Sequence, residues 1–357
     1  MANKVILKAE TLDGYLTEED NAYLAKIHKL YEATNDSYKI LSTEKDKYKI
    51  ETEKQKIIDI YSKISKSLQE ICCKNRNLKI FPFETENDSH AEASRIISKL
   101  RDVKTTRNEF IYYTQKSYEM LFKLAYLMPE TREKEHLFVK TPVEMPVQQY
   151  SVHQIPDISK KIENSVMCVM LRGALLPSMI MSKEIEGYSI SEYLTPFALF
   201  KIKRDDSKHE TNMEYILDLD NSFFDINKLN DKDLIFADPM NATGGSFITI
   251  VNYLKEKGVK YKSISFFNII SALKGSLRVI RAIENCTVYT LWLDPVLNES
   301  AYILPGLGDA GDRLNGYDNF DSPRTIIQLI ENYGSNIVEL YRSQVRMIES
   351  IVLGDCK

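Results

Sequence analysis

The chain has 357 residues, of which 27% are charged, and a formal net charge of −4 at neutral pH. This length allows one sizeable core with an appendage, or two small domains, and the acidic balance argues against a nucleic-acid-binding protein. The five cysteines have no CxxC or zinc spacing, and no run of about 18 apolar residues occurs. These features predict a reduced, soluble, cytoplasmic protein that does not enter a membrane.

Three regions are predicted along the chain. Residues 1–87 form a helical N-terminal extension, residues 88–320 an α/β domain, and residues 321–357 a helical C-terminal extension. Residues 74–90, which are rich in polar side chains, are the predicted linker between the first two. Ser322-Pro323 begins the predicted C-terminal helix, which carries an apolar stripe.

The N-terminal extension contains two predicted helices. Thr17 to Asp20 have the pattern of a capping box, and the apolar residues that follow predict a helix to about Thr34. Asn35-Asp36-Ser37 breaks this pattern, and a second helix begins near Glu44. Its apolar residues recur at alternate spacings of four and three. The resulting hairpin either packs on the α/β domain or joins two chains as a coiled coil.

The first glycine-rich segment has the chemistry of a phosphate-binding loop. Residues 234–237 are a short apolar run suited to a buried strand, and residues 247–254 have helical periodicity. Between them, Thr243-Gly244-Gly245-Ser246 places hydroxyl groups and flexible backbone at a helix N-terminus, which attracts phosphate. Asp238, at the carboxyl end of the strand, is placed to accept hydrogen bonds from sugar hydroxyls. An ordinary strand-to-helix turn is the alternative interpretation.

The second glycine-rich segment, Tyr302 to Arg313, has the chemistry of a backbone clamp. Gly306, Gly308 and Gly311 leave peptide N–H and C=O groups uncovered, so this loop can hydrogen-bond the edge of a planar ligand. A small base is the ligand that such a clamp suits. The five histidines of the chain are scattered, and no metal site is predicted from them.

The two segments together resemble uracil phosphoribosyltransferases. That family has Asp-Pro-Met-x-Ala-Thr-Gly-Gly-Ser as its ribose-phosphate loop and Tyr-Ile-x-Pro-Gly-Leu-Gly-Asp-Ala-Gly-Asp as its uracil loop, and both motifs are matched almost letter for letter. The similarity covers about residues 88–320. It implies an α/β type I phosphoribosyltransferase fold, in which helices flank a parallel sheet and an antiparallel hood spans about residues 195–218. Helical extensions would be added at both termini.

The resemblance also implies a site for phosphoribosyl pyrophosphate (PRPP) and uracil. It assigns catalysis to Arg172, Arg204, Asp238 and Asp309. It assigns PRPP to these four residues and to the remainder of the first loop, Pro239, Met240, Asn241, Ala242, Thr243, Gly244, Gly245 and Ser246. It assigns uracil to Ile303, Gly308, Asp309 and Ala310. The implied reaction yields UMP and pyrophosphate, with Mg²⁺ arriving on PRPP rather than in a protein metal site.

Four residues at three places in the chain depart from the family pattern. Asn241 stands where the family usually has leucine, and the pair Gly173-Ala174 reverses the family's Ala-Gly. The reversal is expected to displace by one residue any kink that requires glycine. Lys274 stands where the family has glutamate, and it is either a solvated loop residue or a reversal of the local electrostatics.

The leading hypothesis is a uracil phosphoribosyltransferase of pyrimidine salvage. A second hypothesis is a sensor or effector subunit that binds PRPP or a nucleotide and acts on a protein partner, for example in a bacterial defence system. Lys274 and the terminal extensions motivate it. A third is transfer to a different base. A homo-oligomer, a dimer or larger, is expected, and the terminal helices are a possible surface for a protein partner.

Overall fold

The computed structural model describes residues 3–128, 133–143 and 149–316. Its centre is a nine-stranded sheet with the order β1-β7-β6-β5-β8-β10-β11-β2, in which β9 also pairs with β10. The strands of this sheet are β1 (Lys4–Lys8), β2 (Leu78–Ile80), β5 (Ser165–Leu171), β6 (Phe197–Arg204), β7 (Glu214–Phe223), β8 (Asp233–Ala237), β9 (Met240–Asn241), β10 (Ser263–Ala272) and β11 (Cys286–Asp294). Two further strand pairs are β3 (Lys134–Lys140) with β4 (Tyr150–Pro156), and β12 (Val296–Leu297) with β13 (Ile303–Leu304).

The middle of the sheet is parallel and buried. Strands β5, β8, β10 and β11 pair in parallel, and all seven residues of β5 are buried. Near-continuous apolar runs of this kind are typical of parallel strands covered on both faces. The packing helices are α1 (Ala9–Asp13), α2 (Glu18–Glu32), α3 (Asn35–Thr43), α4 (Lys47–Lys74), α5 (Phe81–Glu84), α6 (Asn87–Arg101), α7 (Arg107–Phe122), α8 (Ser159–Ile162), α9 (Leu175–Tyr188), α10 (Gly245–Glu256), α11 (Leu273–Ala282) and α12 (Ala310–Asn315).

The predicted hood is present as an antiparallel pair. Strand β6 pairs with β7, and the connection between them contains the short 3-10 helix Glu210–Asn212. The term hood is used below for β6, β7 and this connection. The parallel centre, the packing helices and the hood confirm the predicted α/β architecture.

The N-terminal extension supplies both edge strands of the sheet. Strand β1 pairs with β7 on the hood side, and β2 pairs with β11 at the opposite edge. The prediction of a linker over residues 74–90 was therefore wrong, because this stretch contains β2 and α5 and the first turn of α6. The polar composition of residues 74–90 gave no sign of strand β2, in which Leu78 and Ile80 are buried.

The predicted hairpin contains three helices, α2, α3 and α4, rather than two. The capping box is confirmed, since Thr17 accepts from the backbone of Asp20 and the Asp20 side chain accepts from the backbone of Thr17. The predicted break at residues 35–37 was wrong because α3 begins there. Ser37 donates to Glu53 of α4 at 2.6 Å, so a polar residue stabilises the helix pair.

Helix α4 packs on the α/β domain, which is one of the two arrangements that the sequence left open. Its residues Ile64, Leu68 and Ile71 belong to the same buried core as the central strands. The predicted helix from Ser322 lies outside the described residues. Within the described part of the chain, no helix combines the length and apolarity needed to cross a membrane.

Candidate active site

A cavity of about 410 Å³ lies where the two glycine-rich loops and the hood meet. Its lining is drawn from segments distant in sequence, as expected for a site at the carboxyl ends of parallel strands. Most of the predicted ligand-binding residues line it: Arg204, Asp238, Met240, Asn241, Ala242, Thr243, Gly244, Gly245, Ser246, Ile303, Gly308 and Asp309. The structure thus brings together the predicted phosphate loop, base loop and hood arginine.

The phosphate loop, Asp238 to Ser246, runs from the end of β8 into the first turn of α10. Gly244 precedes the helix with φ +76°, a left-handed conformation that favours glycine. An added Cβ at Gly245 would meet the ring of Tyr215 at 2.2 Å, so only glycine fits beneath the hood at that position. Thr243, Gly245 and Ser246, at the start of α10, line the cavity, and the free N–H groups of a helix N-terminus favour phosphate binding.

Asp238 is held at the start of this loop. Its backbone N–H donates to the Phe267 carbonyl at 3.0 Å, and its Oδ1 accepts from the Met240 N–H at 3.0 Å. Burial raises the pKa of Asp238 to about 7, and the nearby Asp309 carboxylate acts in the same direction, whereas the Met240 hydrogen bond opposes the shift. A carboxyl group with this pKa changes its charge near neutral pH.

The ion pair between Arg101 and the buried Asp294 stabilises the base loop. Arg101 donates to Asp294 Oδ1 at 2.6 Å and to the Gly306 carbonyl at 3.3 Å, while Asp294 Oδ2 accepts from the Gly306 N–H at 2.9 Å. Burial raises the pKa of Asp294, although the Arg101 guanidinium favours its ionised form. The N–H and C=O groups of Gly306 are therefore both hydrogen-bonded by side chains that lie outside the loop.

The hood contacts both loops. Arg204 donates to the Ala301 carbonyl at 3.3 Å and its guanidinium lies 4.7 Å from the ring centre of Tyr302. Tyr215 donates to the Thr243 hydroxyl at 2.5 Å. Tyr215 was missed at the sequence level, and the available signal was its inward-facing position in the alternation of β7.

Three of the predicted site residues do not line this cavity: Arg172, Pro239 and Ala310. Arg172 donates to Asp312 at 3.0 Å and to the Gly316 carbonyl at 3.2 Å. The adjoining Gly173 is not in the left-handed region and Ala174 has φ −84°, so this segment has no kink that requires glycine and the reversed pair displaces none.

Asn241 is the departure that changes the chemistry of the phosphate loop. Its side chain is 1% exposed, and neither amide atom has a hydrogen-bond partner within the described structure. An added Cβ at Gly275 would lie 2.9 Å from Asn241 Oδ1, so the amide packs against the segment that contains Lys274. The asparagine side chain fits here by size, although burying its amide without a hydrogen bond is unfavourable.

An ion network joins the N-terminal extension to the phosphate loop. Lys274 lies 2.9 Å from Glu210 of the hood and 3.4 Å from Asp13 of α1. The fully buried Arg278 also pairs with Glu210 and Asp13, and it donates to the Thr243 carbonyl at 3.3 Å. The network answers the question that the sequence left open, since Lys274 is a positive charge matched by two carboxylates rather than a solvated loop residue.

Reversing this charge is expected to destabilise the protein. Lys274→Glu places a third carboxylate beside Asp13 and Glu210, and we expect the free energy of unfolding to fall by about 2 kcal/mol. Lys274→Met, which removes the cation without adding a carboxylate, should lose less stability. Urea denaturation measures both effects, with Lys260→Glu at an exposed position as the control. Equal losses in Lys274→Glu and Lys260→Glu would contradict the network.

The fold and cavity together define an α/β protein in which two glycine-rich loops and the hood enclose one cavity. The family model for uracil phosphoribosyltransferase matches residues 88–316, and the chain belongs to this family. The uracil phosphoribosyltransferase of a Geobacillus species is 47% identical over 88 residues, which are 25% of this chain and 41% of that protein. The enzyme of Limosilactobacillus fermentum is 43% identical over 90 residues, 25% of this chain and 43% of that protein. The chain spans about two fifths of the length of these curated relatives.

Solved structures give weaker similarities. The AQ2163 protein of Aquifex aeolicus has a TM-score of 0.47 at 22% identity, covering 64% of this chain and 95% of that one. Mycobacterium tuberculosis orotate phosphoribosyltransferase in complex with PRPP has a TM-score of 0.31 at 10% identity, covering 60% and 94%. Among the described residues, no group of three or more His, Cys, Asp or Glu side chains could hold a metal ion.

Proposed function

We propose that this chain transfers the phosphoribosyl group of PRPP to uracil, forming UMP and pyrophosphate. The observation that carries the proposal is the cavity shared by the phosphate loop, the base loop and the hood. One side of it offers helix N-terminal N–H groups and hydroxyls to a 5-phosphate, and the other offers backbone groups to a flat base. Family membership over residues 88–316 supports the same assignment.

The proposed chemistry needs positioning and charge compensation more than a reactive side chain. The bond from ribose C1 to the pyrophosphate oxygen breaks, the bond from C1 to uracil N1 forms, and the N1 proton is released. Positive charge develops on the ribose, so carboxylates near the sugar stabilise the transition state. Asp238 is proposed to accept from the ribose hydroxyls and Asp309 to lie near PRPP. Arg204, and Arg172 from outside the cavity lining, are proposed to compensate the leaving pyrophosphate.

Uracil is proposed to bind the backbone of the second loop. Ile303, Gly308 and Asp309 line the cavity at this side, and Ala310 follows directly. Mg²⁺ is proposed to arrive with PRPP, whose phosphate oxygens are ligands of the kind that this ion prefers. When bound, this ion neutralises charge on the pyrophosphate. A cytoplasmic location, a homo-oligomer and contact with a protein partner through the terminal extensions complete the proposal.

Pyrophosphate release tests the proposed reaction directly. Purified protein with Mg²⁺ and PRPP should release pyrophosphate when uracil is added, and much less when cytosine, adenine or no base is added. Formation of UMP, measured by chromatography, should match the pyrophosphate released. If calorimetry detects bound PRPP but no base produces release, the transferase proposal fails. If another base is preferred, only the assignment of uracil fails.

PRPP binding is expected to strengthen as the pH rises through about 7. The pKa of Asp238 is raised to about 7 in the free protein, and ribose hydroxyls donate more strongly to its ionised form than to its protonated form. Below that pH, PRPP binding is therefore coupled to release of a proton from Asp238. Calorimetry in buffers of different ionisation enthalpy measures this proton. The Asp238→Asn variant has no carboxyl proton to release, whereas PRPP itself titrates as before. Identical pH profiles of PRPP affinity for the two proteins would refute the assignment.

A further inference from the structure

A second cavity, of about 370 Å³, lies behind the base loop. It is formed where α4 of the N-terminal extension, the segment from β2 to α5, helix α6 and the end of β11 meet. Pro305 lines this cavity and also the proposed active site, so the two cavities adjoin at the base loop. The second cavity exists only because the extension packs on the α/β domain.

The lining of this cavity has the composition of a small-molecule site. Four rings line it, those of Tyr61, Phe83, His90 and Trp292, together with aliphatic side chains. The ring centroids of His90 and Trp292 lie 5.9 Å apart and the two ring planes are inclined by 57°, so these two rings contact each other at the lining. Ligand sites are concave, lined largely by apolar and aromatic side chains, and carry few polar groups that fix orientation. Flat ring systems are the ligands that aromatic walls bind best.

The polar groups of the cavity narrow the class of ligand. Ser65, Ser94 and Ser98 are exposed lining residues, so hydroxyl groups surround the opening. Arg101 and Asp294 line the cavity as the ion pair that holds Gly306. Because the guanidinium is paired with a buried carboxylate, the pair offers hydrogen bonds without a net positive charge, and no lysine among the described residues lines the cavity. An uncharged ligand is favoured over a phosphate-bearing one.

We propose that this cavity is a second ligand site, for an uncharged planar heteroaromatic molecule such as a purine base or nucleoside. A ligand bound there contacts the pair Arg101 and Asp294, which fixes both polar groups of the Gly306 peptide. Occupancy is thereby transmitted to the loop that is proposed to bind uracil. This last consequence rests on the proposed function, whereas the existence of the site does not.

The chain's single tryptophan, Trp292, lines the cavity and reports directly on its occupancy. The test titrates the full-length protein with adenine and with adenosine while Trp292 emission is followed, and adenosine 5′-monophosphate serves as the charged comparison. We expect saturable quenching by the base or the nucleoside, and binding at least tenfold weaker for the nucleotide. Adenine and adenosine are separate arms, and the tighter of the two identifies whether a ribose is accommodated.

Two matched variants on α6 decide where the ligand binds. Ser94→Phe introduces a ring into the lining, whereas Ala91→Phe places the same ring at an exposed position outside it. We expect Ser94→Phe to weaken binding at least tenfold and Ala91→Phe to leave it unchanged, with circular dichroism and melting confirming that both fold. Phe83→Ala provides an independent loss of aromatic contact.

Three results would overturn the proposal. They are the absence of any saturable change with both purines, equal binding by Ser94→Phe and Ala91→Phe, and competitive displacement by PRPP, in which the apparent Kd of the purine keeps rising with PRPP concentration instead of levelling off. Displacement by PRPP would place the purine in the other cavity. Because none of these measurements uses catalytic turnover, failure of the transferase assay leaves the test of the second site intact. If both hold, adenine or adenosine should alter the KM for uracil in the parent protein and not in Ser94→Phe.

Discussion

Replacing Asp238 by asparagine is expected to lower uracil-dependent pyrophosphate release by about 100-fold or more. The amide keeps an oxygen that can accept from the Met240 N–H, so the start of the phosphate loop should hold its shape. What is lost is the negative charge beside the ribose, where positive charge develops in the proposed transition state. The measurement is kcat/KM for PRPP at saturating uracil. Asp233→Asn, at the other end of β8, is the control and should retain activity.

The same substitution is expected to stabilise the free protein. An acid whose folded-state pKa is raised to about 7 binds its proton more tightly in the folded than in the unfolded chain. The carboxyl therefore lowers stability progressively as the pH rises from about 4 to 7, and fully above 7. The asparagine side chain cannot ionise, so the melting temperature of the variant should exceed that of the parent above pH 7 and match it near pH 4. If the variant is active and melts at the same temperature as the parent above pH 7, Asp238 is neither a buried charge nor required for activity.

Replacing Arg278 by methionine is expected to reduce both stability and PRPP affinity. Arg278 is fully buried and links the Thr243 carbonyl of the phosphate loop to Glu210 of the hood and Asp13 of the extension. Methionine is similar in length but leaves these acids without their main partner. Removing one member of a buried ion pair costs about 3–5 kcal/mol. Urea denaturation gives the loss of stability, and calorimetry gives the loss of PRPP affinity, which we expect to be at least tenfold.

Arg281 provides the matched control, because it lies on the same helix and also pairs with the extension. Its two bonds to Asp20, both 2.9 Å, involve no residue of the phosphate loop. Arg281→Met should therefore lower stability while PRPP affinity stays near that of the parent. If the two variants lose affinity equally, the extension acts only through overall stability. If Arg278→Met binds PRPP normally, the network does not position the loop.

The sequence predicted those parts of the fold and site that depend on neighbouring residues. The phosphate loop was predicted because a buried strand, two glycines and an amphipathic helix occur consecutively between residues 234 and 254. The capping box at Thr17 was predicted for the same reason, as both of its partners lie within four residues. The hood was implied by the family resemblance, and the structure confirms its antiparallel pairing.

Features set by distant contacts were missed. A three-residue strand such as β2 is too short to show periodicity, and only its pairing with β11 makes it a strand. Arg278 gave no local signal, since its partners Asp13 and Glu210 lie far away in sequence. Ser37 was interpreted as a helix breaker because the buried glutamate that accepts its hydrogen bond belongs to another helix. In each case a tertiary partner determines the role of the residue.

The two edge strands have a consequence for the order in which the chain folds. Strand β1 is synthesised more than two hundred residues before its partner β7, and the interval between β2 and its partner β11 is equally long. Neither edge can close until the parallel centre exists, so we expect the extension to fold last and slowly, as contacts between distant residues do. Until then the open edges of the sheet are available to other chains. Expression conditions that slow aggregation should therefore raise the yield of folded protein.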